Sequence, residues 1–136
     1  MGAWKCYAWE RATWPEFRKV QVSYDQACKL IRKLCHHFKV QDISGEVEIK
    51  RSGATWSHYR ESWGGSIKFS MPLSLGTVCH EFAHHLTAHR WGRRHGHDRK
   101  FKRELRRTYT WARRYLPVAA EPEKISVDNS VNYSVR

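Results

Sequence analysis

The chain has 136 residues, a net charge of +12, 40% hydrophobic residues and seven tryptophans. That length suits one packed core and excludes a multidomain machine, while the apolar share excludes wholesale disorder. No run approaches the roughly 20 apolar residues of a membrane span. The opening Met1-Gly2-Ala3-Trp4-Lys5-Cys6 also lacks the apolar stretch of an export signal, so a soluble, cytoplasmic protein with no membrane partner is expected.

Residues 1–22 carry Trp4, Trp9 and Trp14 at five-residue spacing, which fits neither the helical nor the strand period. An irregular, Trp-rich arm pinned onto the core is expected there. Ser23 and Gln26 form a capping-box pattern, and Tyr24, Ala27, Cys28, Ile31, Leu34, Cys35 and Phe38 follow at helical spacing, which predicts a helix over about 24–39. His36 and His37 at its end suit the helix dipole and have no ligand partners nearby in sequence. Past Gly45, Val47 and Ile49 alternate with charges, an aromatic run surrounds Trp56 and Tyr59, and Ile67 and Phe69 follow Gly64-Gly65. Three short strands of an antiparallel sheet are predicted.

Pro72 and Gly76 lead into a second helix over about 75–90, and a turn with Gly92 and Gly96 ends it. A third helix is predicted from about 98 to 116, capped by Asp98, with Phe101, Leu105, Thr108, Tyr109, Ala112 and Leu116 on one face. Arg99, Arg103, Arg106, Arg107, Arg113 and Arg114 fall on the opposite face. Residues 90–114 hold eleven basic and two acidic groups, so nine of the twelve net charges lie there. A polyanion such as DNA is a candidate partner for this segment, and a solvated face that serves solubility or protein docking is the other reading. Residues 117–136 read as a loose tail with one short strand, leaving 23–116 as the folded domain. The cysteines, Cys6, Cys28, Cys35 and Cys79, form no Cys-x-x-Cys pair and read as buried thiols.

The chemistry is carried by His80-Glu81-Phe82-Ala83-His84. Residues four apart share a helical face, so both imidazoles reach one metal ion while the glutamate projects beside them toward water. Leu75, Val78, Cys79, Phe82 and Leu86 form a separate apolar stripe, which leaves the histidines facing a cleft. A catalytic zinc usually takes a third protein ligand and keeps one position open. His85, His89, His95, His97 and Asp98 are the candidates; His85 and His89 point around the helix, and the choice falls to the Gly96 turn, where His97 precedes the basic helix and Phe101 anchors it. His95 is kept as an alternate ligand.

His80-Glu81-x-x-His84 followed by Gly96-His97-Asp98-x-x-Phe101 resembles the SprT-like (Spartan-type) zinc metallopeptidases, over about residues 24 to 116. The likeness is to the minimal versions found in phage and plasmid genomes. It implies an α+β, zincin-like fold: an N-terminal helix, a small three-stranded antiparallel sheet, the active-site helix and the C-terminal basic helix. It also implies one Zn²⁺ per chain on His80, His84 and His97, with Glu81 as general base and acid in peptide hydrolysis of a protein substrate. Two departures stand out. No cysteine follows Cys79, so the zinc ribbon of many members is missing and DNA targeting would fall to another surface; and Asp98 stands where the family often has glycine.

The sheet edge around Ile67 to Ser70 is expected to pair with an extended substrate. His58, Tyr59, Tyr109 and the arginines of the last helix are the candidate donors to an oxyanion. Two other readings compete: a non-catalytic basic nucleic-acid- or protein-binding module with a structural zinc, and a zinc hydrolase acting on a cell-wall peptide.

Overall fold

The computed structural model describes residues 3–49, 57–92 and 95–116. Over them the chain is an α+β fold with four α-helices and one three-stranded sheet. The first helix is one that the tryptophan spacing concealed. The segment expected as an irregular arm is helical over Ala3–Thr13 (α1) and makes a 3-10 turn at Pro15–Lys19. Of the three tryptophans only Trp14 is buried; Trp4 is 75% exposed. The inward face of α1 is instead Cys6 and Glu10, an i, i+4 pair that includes a charge and so gives no hydrophobic period.

Helix α2 spans Tyr24–Phe38, and its capping box forms as the sequence predicts: Gln26 N donates to Ser23 Oγ at 3.1 Å, and Ser23 N donates to the Gln26 side chain at 2.8 Å. Three strands follow, Val47–Ile49 (β1), His58–Arg60 (β2) and Ser66–Phe69 (β3). Trp56 lies outside the described residues. The sheet is mixed, which corrects the antiparallel expectation: the order is β1-β3-β2, with β1 parallel and β2 antiparallel to β3. Alternation tells which side chains face inward, not which strands are neighbours. Here β3, with Ile67 and Phe69 fully enclosed, takes the middle place. The stretch expected to offer an edge to a substrate is therefore paired on both sides, and the edges are β1 and β2.

The hub of the fold is α3, Leu75–Trp91, which packs on α2, the 3-10 turn, β2 and the last helix. Ser74 caps it, its Oγ accepting from Thr77 N at 3.2 Å, and Val20 O receives Leu75 N at 2.8 Å. Val78, Cys79, Phe82, Ala83 and Leu86 are fully buried, and so are the polar His80, Glu81, His85 and Thr87. Helix α4, Arg99–Ala112, starts where Phe101 N donates to Asp98 Oδ1 at 2.9 Å, as the sequence predicts. It buries Phe101, Leu105, Thr108, Tyr109 and Ala112, together with Glu104. Residues 117–136, read as a tail with a strand, lie outside the described residues. No helix among the described residues is long and apolar enough to cross a membrane.

Candidate metal centre

Helix periodicity brings His80 and His84 to one face of α3, and the turn before α4 returns His97 to the same place. One ring nitrogen from each lies within 4.8 Å of the others, so the three histidines could hold a metal ion. His80 Nε2 and His97 Nε2 are 3.1 Å apart. Two nitrogens of a tetrahedral set with bonds near 2.05 Å lie about 3.3 Å apart, so the separation suits a shared ion. Phe101 forms the apolar backing for all three rings, with its centroid 5.1 Å from His80, 4.2 Å from His84 and 5.0 Å from His97. The anchoring role read for Phe101 in the sequence is thus its actual position.

The residue that sequence reasoning missed is Glu10. It lies on α1, seventy positions before His80, and is 1% exposed. His80 Nδ1 lies 2.5 Å from Glu10 Oε2, Tyr109 Oη donates to Glu10 Oε1 at 2.8 Å, and Cys6 Sγ approaches Oε2 at 3.9 Å. A carboxylate on Nδ1 holds the proton there and leaves the Nε2 lone pair for a metal. Among the described residues no lysine or arginine pairs with Glu10. Its side-chain partners are the His80 ring, the Tyr109 hydroxyl and the Cys6 thiol. The donor set of three imidazoles fits a divalent ion. No local sequence signal could have joined Glu10 to His80, because their contact depends on how α1 docks.

Desolvation, then the neighbouring His80 and His97, pushes the His84 pKa down to about 2. Desolvation followed by His80 lowers that of His97 as well. Both imidazoles are thus kept neutral, the form in which they ligate. The carboxylate of Glu10 acts on Cys6 too: burial first and Glu10 second push its thiol up to about 12. Cys6, Cys35 and Cys79 are buried and Cys28 half-buried, all as free thiols.

The other histidines of the described residues lie outside this set of three. His85 Nε2 faces Gln41 O at 2.8 Å and its Nδ1 faces Tyr59 Oη at 2.9 Å, which turns it away from the site. His89 is exposed, and His37 packs on Trp111 and Phe38. His95, the alternate ligand, has Nδ1 at 2.8 Å from Asp98 Oδ2 and Nε2 at 3.2 Å from Trp91 O. Two acceptors make both ring nitrogens donors, and the Asp98 bond raises the His95 pKa. His95 also lies outside the three-histidine set.

Glu81 is 3% exposed, yet it lines two cavities that meet at the site. The larger, about 640 Å³, runs past Tyr7, His80 and Glu81 toward Trp4, Arg18 and Met71. The smaller, about 240 Å³, has Tyr7, His58, Tyr59, Glu81, His84 and His97 in its lining, with His95 beside them. Tyr7, a second residue of α1 that the sequence did not single out, stacks on His80 with centroids 4.6 Å apart and planes 18° apart. Burial first and the Glu81 charge second raise its pKa, so it stays a phenol that can donate. Of the donors considered from sequence, Tyr109 is buried and committed to Glu10 and to Gly76 O at 3.3 Å, while His58 and Tyr59 line the smaller cavity.

The six arginines of the basic face, Arg99, Arg103, Arg106, Arg107, Arg113 and Arg114, are all exposed along α4 and the turn after it. Several lie over aromatic rings: Arg103 at 6.0 Å from the Trp91 centroid, Arg106 at 5.4 Å from Trp9 and Arg114 at 4.4 Å from Trp111. Arg107 pairs with Glu104 at 3.3 Å, so its charge is partly used inside the chain. No protein-family model, no curated protein and no solved structure matches this chain.

Proposed function

We propose that the chain is a zinc metallopeptidase of the SprT-like, zincin type, hydrolysing peptide bonds of protein substrates. The observation that carries this reading is the position of Glu81: beside three imidazoles that can share an ion, at the junction of two cavities. An ion enclosed only to staple a core needs no such access. Three imidazoles favour zinc over harder ions. Zinc held there would act as a Lewis acid toward a substrate carbonyl and a water.

The chain's own residues do the rest. Glu81 takes the proton of the attacking water and delivers it to the leaving amine. Glu10 holds the Nδ1 proton of His80 and thereby the ring's orientation. We assign to Tyr7 and His58 the hydrogen bonds to the carbonyl oxygen as it gains charge, since both line cavities shared with Glu81. An extended substrate pairs with β2, an edge strand whose His58 and Tyr59 line the smaller cavity. DNA or another polyanion associates along the exposed arginines of α4, whose partner rings offer stacking as well as charge. If so, polyanion affinity falls with salt with a log-log slope of several units, and a flat response would remove this part.

The test is Glu81→Gln. A general acid–base residue contributes about 10²–10⁴-fold, so hydrolysis of an unfolded protein substrate should fall by that factor with zinc content unchanged. Unchanged hydrolysis, or none from the wild-type chain loaded with zinc, would return the reading to a binding module with a structural ion.

A further inference from the structure

The larger cleft beside Glu81 is lined by an arginine, Arg18, two of whose donors find no hydrogen-bond partner among the described residues. Among them, Nε and Nη2 of Arg18 are buried without a hydrogen-bond partner, and so is Oγ of Ser70, a second residue of the same cleft wall. Nε–H and Nη2–H lie along one edge of the guanidinium, the edge that meets both oxygens of a carboxylate. Buried donors of a charged group are costly to leave unpaired. Arg18 is held in place on the 3-10 turn, with Cζ 5.8 Å from the Tyr7 centroid. On its other side is Gly76, where an added Cβ would already touch Arg18 Cγ and Nε at 3.6 Å. Arg11 adds a second cation to the wall, and the rim is apolar, with Trp4 and Met71 (53% exposed) beside Pro72.

We propose that this cleft binds a carboxylate of a peptide through Arg18 and Ser70, and so gives the site a preference for acidic substrates; the setting rests on the peptidase reading above. One guanidinium edge and one hydroxyl match the two oxygens of a carboxylate, and the apolar rim matches the flanking side chains of a peptide. Glu81 on the same wall repels a carboxylate, which leaves the arginine end as its place. Arg18 and Ser70 both line this cleft, so a carboxylate entering it meets the residues whose buried polar atoms lack a partner. The carboxylate can come from an Asp or Glu side chain or from the chain end of the substrate.

The experiment uses the full-length, metal-loaded Glu81→Gln chain, labelled with ¹⁵N, and follows the Arg18 Nε–H signal, identified by its loss in Arg18→Gln. The probes are acetyl-Ala-Ala-Glu-Ala-Ala-amide, its Gln counterpart, and the Gln peptide with a free terminal carboxylate. The expected result is a saturable shift of the Arg18 signal with one or both acidic probes, at least tenfold tighter than with the Gln amide. Which acidic probe binds tells side chain from chain end. Ser70→Ala should weaken that binding severalfold, which keeps the test independent of how well Arg18 variants fold. Equal binding of the acidic and amide probes, or an Arg18 signal that does not move, would overturn the proposal. Because binding is read without hydrolysis, its failure is separate from failure of the peptidase reading, which the wild-type activity decides.

Discussion

Apart from Glu81 at the site, two glutamates are buried among the described residues, Glu10 and Glu104, and they are answered in opposite ways. Glu104, fully enclosed between α3 and α4, accepts from Trp91 Nε1 at 2.8 Å and faces Arg90 Nε at 3.6 Å and Arg107 Nη1 at 3.3 Å. Its charge is balanced on the spot, by side chains whose far ends reach water. Glu10, equally buried, meets a histidine, a tyrosine hydroxyl and a thiol, and pairs with no lysine or arginine among the described residues. A balanced buried carboxylate is a clasp between helices. One that meets an imidazole fixes the orientation of that ring, and beyond His80 lie the two other histidines with which it could hold an ion.

That contrast can be broken at either end. The larger effect is expected at Glu10: Glu10→Gln, which keeps an acceptor for Tyr109 but weakens the hold on His80, should lower metal affinity about 10–100-fold in a chelator competition. An unchanged affinity would reduce Glu10 to a packing residue. Glu104→Gln should leave metal affinity untouched and cost about 1 kcal/mol of stability, the difference between a charged and a neutral acceptor, read from urea midpoints. If it is Glu104→Gln that weakens the metal, the two carboxylates have been assigned the wrong way round.

A smaller effect concerns acid. With metal stripped, burial holds the His84 and His97 pKa values below the ordinary 6.5. The unfolded chain then takes up protons that the folded chain refuses as pH falls past about 6.5, so stability is full above that pH and declines below it. Urea midpoints of the chelated protein at pH 7.5, 6.0 and 5.0 should fall in that order. A rising series would contradict the burial of these rings.

How much of this was legible in the sequence depends on how local the signal was. The capping box of α2, the Asp98 cap and arginine face of α4, and the His80-Glu81-x-x-His84 helix are each written within one or two turns, and each is found where it was read. His97 joins them on the turn before α4, its ring 5.0 Å from that of Phe101. α1 escaped because its inward face mixes Cys6 with a charged Glu10 while Trp4 points outward, so no period survives. The strand order escaped for a different reason: Val47, Ile67 and Phe69 announce inward faces, whereas the place of β3 between β1 and β2 is a long-range pairing that alternation does not encode. Glu10 and Tyr7, the residues that complete the centre, were invisible for both reasons together. They sit on the unrecognised helix and act seventy residues away.

The central claim is that His80, His84 and His97, and no other histidine set, hold one ion. Elemental analysis of the purified wild type, His97→Ala and His95→Ala measures it directly. About one zinc per chain in the wild type and in His95→Ala, with none in His97→Ala, is the result this account predicts. Zinc retained by His97→Ala, or a wild-type chain that takes up none when zinc is supplied, would contradict it.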